Sequence, residues 1–373
     1  MIIDPHVHLR DWEQQEKETI AHGLETAFLC GISGLFDMPN CSPTLTNSAA
    51  LHRRLEDAEA ARRNFTRTHT VEAPFYAVYA GITADPAQLE EIVELHRHLF
   101  PRVIGLKLFA GRSTGPLAVT EAEGQRLVWK TLAELDYRGT VAVHCEKEQL
   151  MQPQLWDPAQ PVSHSSARPP EAEAASVQDQ IAFARAAGFA GNLHICHIST
   201  PAAIEQVRSF KTAGTGKVGF SLSCGATPHH LLMDSGMVPE GPEGLLLKVN
   251  PPLRNAAERR TLLEALLDGT VDWVESDHAP HRPQDKYQGY ASGIPSLVAW
   301  PLLINYLQGR NISEERLKAL CGGSVLDRYG LDPQMLPQSA TPSPQLEHTS
   351  EGRVGQNLLN RYDANGWRLL PQD

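Results

Sequence analysis

The chain has no CxxC pair, no uncharged apolar run long enough to cross a bilayer, and no surplus of basic residues. Each absence closes off a class. The six cysteines (Cys30, Cys41, Cys145, Cys196, Cys224 and Cys321) have neither zinc-knuckle spacing nor the density of a disulfide framework. They sit mostly inside apolar segments and read as buried, reduced thiols of a cytoplasmic protein. The lack of an apolar span and of a secretory leader pattern points the same way. With 33 Lys and Arg against 44 Asp and Glu, the net charge of −11 argues against nucleic acid and anionic membranes as partners. There is no sequence repeat, and no low-complexity block before the tail.

What is present is ordinary globular material: 373 residues, 41% hydrophobic, with 27 Pro and 28 Gly. That suffices for one large α/β barrel or two modest domains. Short apolar runs alternate with longer amphipathic ones. The strand candidates are "MIIDPHVHL", "GISGLFDMP", "FYAVYAGI", "VIGLKLFA", "TVAVHCE", "LHICHIS", "KVGFSLSC" (or "LLLKVN") and "VDWVESD". Helix starts are marked by Asp85-Pro86, Thr200-Pro201 and Asn255, and Gly269 marks a stop. About eight strand–helix alternations argue for an α/β fold of the (β/α)8 TIM-barrel kind, covering residues 1–331. Residues 332–373 read as a Pro- and Ser-rich linker with a short C-terminal extension, where Asn365-Gly366 suggests a hairpin.

Such barrels carry their chemistry at the C-terminal ends of the strands, and the unusual residues fall there. His6 and His8 are two apart in a strand and therefore share a face, close enough to hold one metal ion. Asn40 follows the second strand. Lys107 interrupts an otherwise apolar fourth strand, so it must be paired, deprotonated or modified. His144 ends the fifth strand, His197 the sixth and Asp277 the eighth. Of the two histidines in "HICH", alternation lets only one point inward, and His197 lies nearer the strand end. By the same rule Cys145 and Cys196 should face outward, and His229 and His230 should pack.

The ordered set His-x-His, Lys, His, His, Asp resembles the amidohydrolase superfamily. "HVHLRD", "DMPN", "GLKLF", "VHCE", "CHIST", "NPPLR" and "SDHAPH" are similar to the signature segments of the dihydroorotases, from residue 4 to about residue 300. The resemblance implies a binuclear zinc site: His6, His8 and Asp277 on one ion, His144 and His197 on the other, and carboxylated Lys107 bridging. It further implies substrate contacts from Arg10, Asn40 and His281, with Asn250 near the pyrimidine ring and Asp277 as the catalytic proton carrier. The implied reaction is reversible hydrolysis of (S)-dihydroorotate to N-carbamoyl-L-aspartate in pyrimidine biosynthesis. The expected partner is that small molecule, with no nucleic acid and no membrane; the sequence leaves the oligomeric state open, a homodimer included.

The chain departs from the pattern in places. "DWEQQEKE" replaces a usual "DPGQ" continuation, and "CGGSVLDRYGL" stands where many members carry Asn-Pro-Ala. The N-terminal half of a flanking β-sandwich is expected to be absent, with the last hairpin a candidate remnant of the C-terminal half of that sandwich. Two other readings stay open. One is a different cyclic amidase, a hydantoinase or allantoinase, which needs no carboxylate clamp. The other is a metal-free, non-catalytic subunit.

Overall fold

The structure, a computed structural model, describes residues 1–214, 219–310 and 312–337, together with the backbone of 362–363 and 366–367. Eight parallel strands form one sheet in sequence order: β1 (Ile2–Val7), β2 (Ile32–Asp37), β3 (Phe75–Gly81), β4 (Val103–Phe109), β5 (Thr140–His144), β6 (Asn192–Ile195), β7 (Ser221–Ala226) and β8 (Trp273–Val274). A parallel bridge between Val7 and His278 brings the ends together, and His8 N donates to His278 O at 2.7 Å. The sheet thus makes a nearly closed (β/α)8 barrel. The alternative seventh strand "LLLKVN" is excluded, since Pro242–Leu247 is a 3-10 helix.

Helices follow the strands: α1 (Ile20–Leu29), α2 (Ser48–His69), α3 (Pro86–Leu99), α4 (Ala122–Glu134), α5 (Ser163–Ala167), α6 (Pro170–Ala187), α7 (Pro201–Ala213), α8 (Pro228–Leu232) and α9 (Ala256–Asp268). Their caps are where the side chains allow them. Asp85 accepts from Ala87 N, and Asn255 and Glu258 form a reciprocal capping box. Thr200 occupies the cap position of α7 without capping it, because its hydroxyl donates to Glu173 Oε1 at 3.0 Å.

The barrel interior below the mouth is filled by Ile3, Phe36, Tyr79, Ile104, Ala142 and Trp273. The ligand candidates lie toward the strand ends. Buried polar groups also occur lower in the barrel wall, among them Ser33, His194 and Ser223, and at the seam between β1 and β8. Buried Asp4 accepts from Ser276 N at 3.0 Å and from Trp300 Nε1 at 2.7 Å, bonding across a stretch where β8 has only two ladder residues. Burial pushes its carboxyl up to about 7. Tyr362–Asp363 pairs antiparallel with Gly366–Trp367; the Asn365 turn position and the linker from residue 338 to 361 lie outside the described residues.

Candidate metal centre

Two histidines on one face of β1 begin the site. His8 Nδ1 lies 2.6 Å from Asn40 Oδ1, while Asn40 Nδ2 donates to Thr114 O at 2.8 Å. The amide is thereby oriented with its oxygen toward the ring, so His8 carries its proton on Nδ1 and presents a bare Nε2. That Nε2 sits 3.0 Å from Asp277 Oδ1, and His6 Nε2 sits 3.4 Å from the same oxygen. A lone pair facing a carboxylate oxygen in a buried site is repulsive unless a cation lies between them. His6, His8 and Asp277 thus fit a divalent ion by the chemistry of their donors.

The second pair repeats the logic. His144 Nδ1 and His197 Nε2 face each other at 3.1 Å, and His144 Nε2 lies 3.1 Å from the buried carboxylate of Glu146. Two nitrogens on one tetrahedral ion at about 2.0–2.1 Å would be separated by roughly 3.3 Å. The His6 and His197 ring centroids are 5.3 Å apart, so the two groups adjoin. Burial, with the charge of Lys107 acting in the same direction, pushes His6 down to about 4 and holds His8, His144 and His197 below the usual imidazole range. Neutral imidazole is the form that ligates.

Lys107, fully buried in β4, has Nζ 3.1 Å from Cys196 Sγ and 5.0 Å from the Phe109 ring centre. Its thiol neighbour corrects the expected outward direction of Cys196. Strand β6 ends at Ile195, Cys196 N bonds to Val143 O, and His197 adopts φ 38. That left-handed turn lets Cys196 and His197 both reach the mouth, and it breaks the alternation on which the outward assignment rested. For the same reason both histidines of "HICH" point inward, at different depths. His194 stacks on Trp273 and bonds to Ser223 Oγ at 3.1 Å and Glu275 Oε2 at 2.9 Å.

Glu275 and Glu146 are the residues that sequence reasoning missed. Glu275 accepts from His197 N at 2.5 Å and lies 3.5 Å from His6 Nδ1, so it braces both halves of the site from beneath. Burial alone would raise its carboxyl, but His194 and His6 outweigh this and hold it well below the usual range. A Cβ on Gly225 would lie 2.4 Å from the Glu275 carboxyl carbon, so only glycine leaves that space. His6, Cys196 and Glu275 also converge closely enough to share an ion. The available signal was its place in "VESD", two residues before Asp277 and just past the end of β8.

Arg10 is 2% exposed and stands where the chain leaves β1 with φ 47, followed by Asp11 at φ 62 and Trp12 at φ 51. Arg54 Nη1 bonds to Arg10 O at 3.0 Å, and Asp11 accepts from Ile20 N at 3.0 Å, holding this left-handed run. Arg10 Nη2 lies 3.2 Å from His281 Nε2, yet its Nε and Nη1 are buried without a partner. His281 Nε2 is also 3.0 Å from Ser292 O. Asn250 is drawn aside: its Oδ1 meets His164 Nε2 at 2.9 Å. His230 bonds to Thr227 and Pro251, whereas buried His229 has both ring nitrogens unpartnered. None of the six cysteines is in a disulfide and all are buried. Among the described residues, no helix is long and apolar enough to cross a membrane.

No family model matches the chain. It is similar to the dihydroorotase of Halobacterium salinarum, 30% identical over 337 residues that cover 89% of this chain and 72% of that one. It is similar also to the dihydroorotase of Thermococcus kodakarensis, 32% identical over 79% of this chain and 59% of that one. The chain thus spans about three fifths to three quarters of the length of these curated relatives. Among solved structures, L-hydantoinase (dihydropyrimidinase) from Arthrobacter aurescens superposes with a TM-score of 0.75 at 22% identity, over 91% of this chain and 73% of that one. A dihydroorotase from Campylobacter jejuni gives 0.63 at 20%, over 89% and 83%. At these identities the structures speak for the barrel alone.

Proposed function

The chain belongs to the dihydroorotase family, which are cyclic amide hydrolases, and from that premise we propose that it interconverts (S)-dihydroorotate and N-carbamoyl-L-aspartate. The observation that carries the substrate is Arg10. A buried guanidinium with two unpartnered nitrogens, Nε and Nη1, beside a His/Asp cluster is costly unless an anion meets it. Dihydroorotate brings a carboxylate; neutral hydantoin and allantoin rings do not. His281, in contact with Arg10, would share that carboxylate, and Asn250 would face the ring once released from His164.

The ligands would be His6, His8 and Asp277 for one zinc ion and His144 and His197 for the other, with Lys107 as a bridging carbamate. When bound, the pair supplies Lewis-acid polarisation of the ring carbonyl and makes water acidic enough to attack near neutral pH. The protein's own residues do the remainder. Arg10 clamps the carboxylate and aims the ring amide at the cluster. Asp277 takes the proton from the attacking water and returns it to the departing ring nitrogen. Ring closure follows the reverse path. The reading places the enzyme in the cytoplasm and allows a homodimer.

The test compares dihydroorotate, hydantoin and allantoin on one preparation whose metal content is measured. About two divalent ions per chain with turnover confined to dihydroorotate is the expected result. Preference for a neutral ring, or full activity without metal, would overturn it.

A further inference from the structure

Glu146 lies just beyond β5, fully buried. A lone carboxylate there would be expensive, and the fold does not leave it alone. Arg168, at the end of α5, grips it with Nε at 3.0 Å from Oε1 and 3.1 Å from Oε2, and Nη2 also contacts Oε2. His144 Nε2 lies 3.1 Å from Oε2, within ion-pair distance but not aligned as a hydrogen bond.

The clamp is anchored on several sides. Arg168 Nη2 donates to Arg112 O at 2.8 Å, and Arg168 O accepts from Arg254 Nη1 at 2.7 Å. Arg254 Nε reaches Ser199 Oγ at 3.1 Å, two residues beyond His197. Along α5, Ser165 Oγ donates to Leu253 O at 2.9 Å and His164 meets Val249 O at 3.0 Å. The backbone that carries both histidines of the second pair is therefore tied to the segment that carries Asn250.

The consequence for His144 is specific. A buried carboxylate 3.1 Å from Nε2 favours the ring proton on that nitrogen, and the bond forms with a small ring rotation; Nδ1 is then bare toward His197 and a stronger donor. We propose that Glu146, held by Arg168, is a positioning residue that sets the affinity of the His144–His197 pocket for its cation, an inference that rests on the metal reading above. His8 is oriented by Asn40 and His6 stands beside Glu275, so Glu146 acts on one pocket and not on the other.

Apo-protein titrated with Co²⁺ in bicarbonate buffer, followed by absorption and calorimetry, separates the two pockets. Wild type should bind in two steps. Glu146→Gln should weaken the second step about 10–100-fold and leave the first unchanged. The double variant Glu146→Gln/Arg168→Gln removes both charges of the pair, guards against misfolding, and should show the same selective loss with an unchanged far-UV spectrum. Equal weakening of both steps, or two wild-type steps, would overturn the assignment and make Glu146 a fold anchor only. Absence of two steps in wild type would overturn the metal reading itself, which is a different and distinguishable result.

Discussion

His8 and Asn40 meet at 2.6 Å, Nδ1 to Oδ1, and the other end of the amide is committed to Thr114 O. This contact settles a tautomer, and it gives Asn40 work besides any contact with substrate. Asn40→Ala should lower affinity for the first ion by about 10-fold or more, because the ring is then free to rotate and to move its proton. Calorimetric metal titration checks this. Unchanged metal affinity with a raised KM alone would return Asn40 to a purely substrate-binding role.

Arg10→Met should keep both metals and lose most of its kcat/KM on dihydroorotate. Truncating one partner of a buried charge pair costs about 2–5 kcal/mol, or roughly 30- to several-thousand-fold. The variant keeps a stem of similar shape, so packing should survive. Metal analysis beside steady-state kinetics decides it, and loss of the ions would assign Arg10 to the scaffold.

Much of this site could be read along the chain because its ligands sit at strand ends, where periodicity and barrel topology agree. The eight strands and the positions of His6, His8, Lys107, His144, His197 and Asp277 follow from that pattern. What escaped has a physical cause. The inward turn at Cys196 and His197 depends on one left-handed residue, which alternation rules do not foresee. Glu146 and Arg168 are 22 residues apart, and their pairing exists only after α5 folds back over β5. The bracing role of Glu275 depends on a missing side chain at Gly225 on the neighbouring strand.

Lys107 has Cys196 Sγ as its hydrogen-bond acceptor and no carboxylate to meet its charge among its described contacts. After losing a proton, the Lys107 amine could attack CO₂ and release a second proton, giving a carbamate anion able to bridge two cations. Reconstitution of apo-protein with Zn²⁺ should recover poorly in bicarbonate-free buffer and improve when bicarbonate is added. Lys107→Ala should bind at most one ion tightly. Two tight ions with normal turnover in that variant would exclude the bridge.

His96 offers a pH test away from the site. Its ring packs edge-on against Tyr137 at 5.1 Å, and burial pushes its pKa from 6.5 down to about 4. The folded state therefore binds fewer protons than the unfolded chain between those values. The contribution is fully present above about pH 6.5 and is lost as the pH falls toward 4. Allowing for partial exposure, it is on the order of 1–2 kcal/mol. His96→Gln should flatten the acid side of a Tm-against-pH curve without moving the metal stoichiometry at pH 8. An unchanged acid slope would show that His96 is not the group responsible.

Asp277 faces two histidines through one oxygen, Oδ1, at 3.0 Å from His8 Nε2 and 3.4 Å from His6 Nε2. The residue itself is turned inward at φ 47, beyond the end of β8. That arrangement asks it both to hold a cation and to carry a proton, and the two duties respond differently to an amide. Asp277→Asn still offers an oxygen to the ion but cannot accept a proton. Metal content should therefore largely survive while turnover drops by about 10²–10⁴-fold, the usual cost of losing general acid–base catalysis. The loss should appear in kcat, with KM for dihydroorotate nearly unchanged, because Arg10 still holds the carboxylate. Metal analysis and steady-state kinetics on the same sample separate the duties. Near-normal turnover with two ions bound would remove Asp277 from proton transfer. His281 would then be the next group to test, since it touches Arg10 and has a buried Nδ1 without a partner.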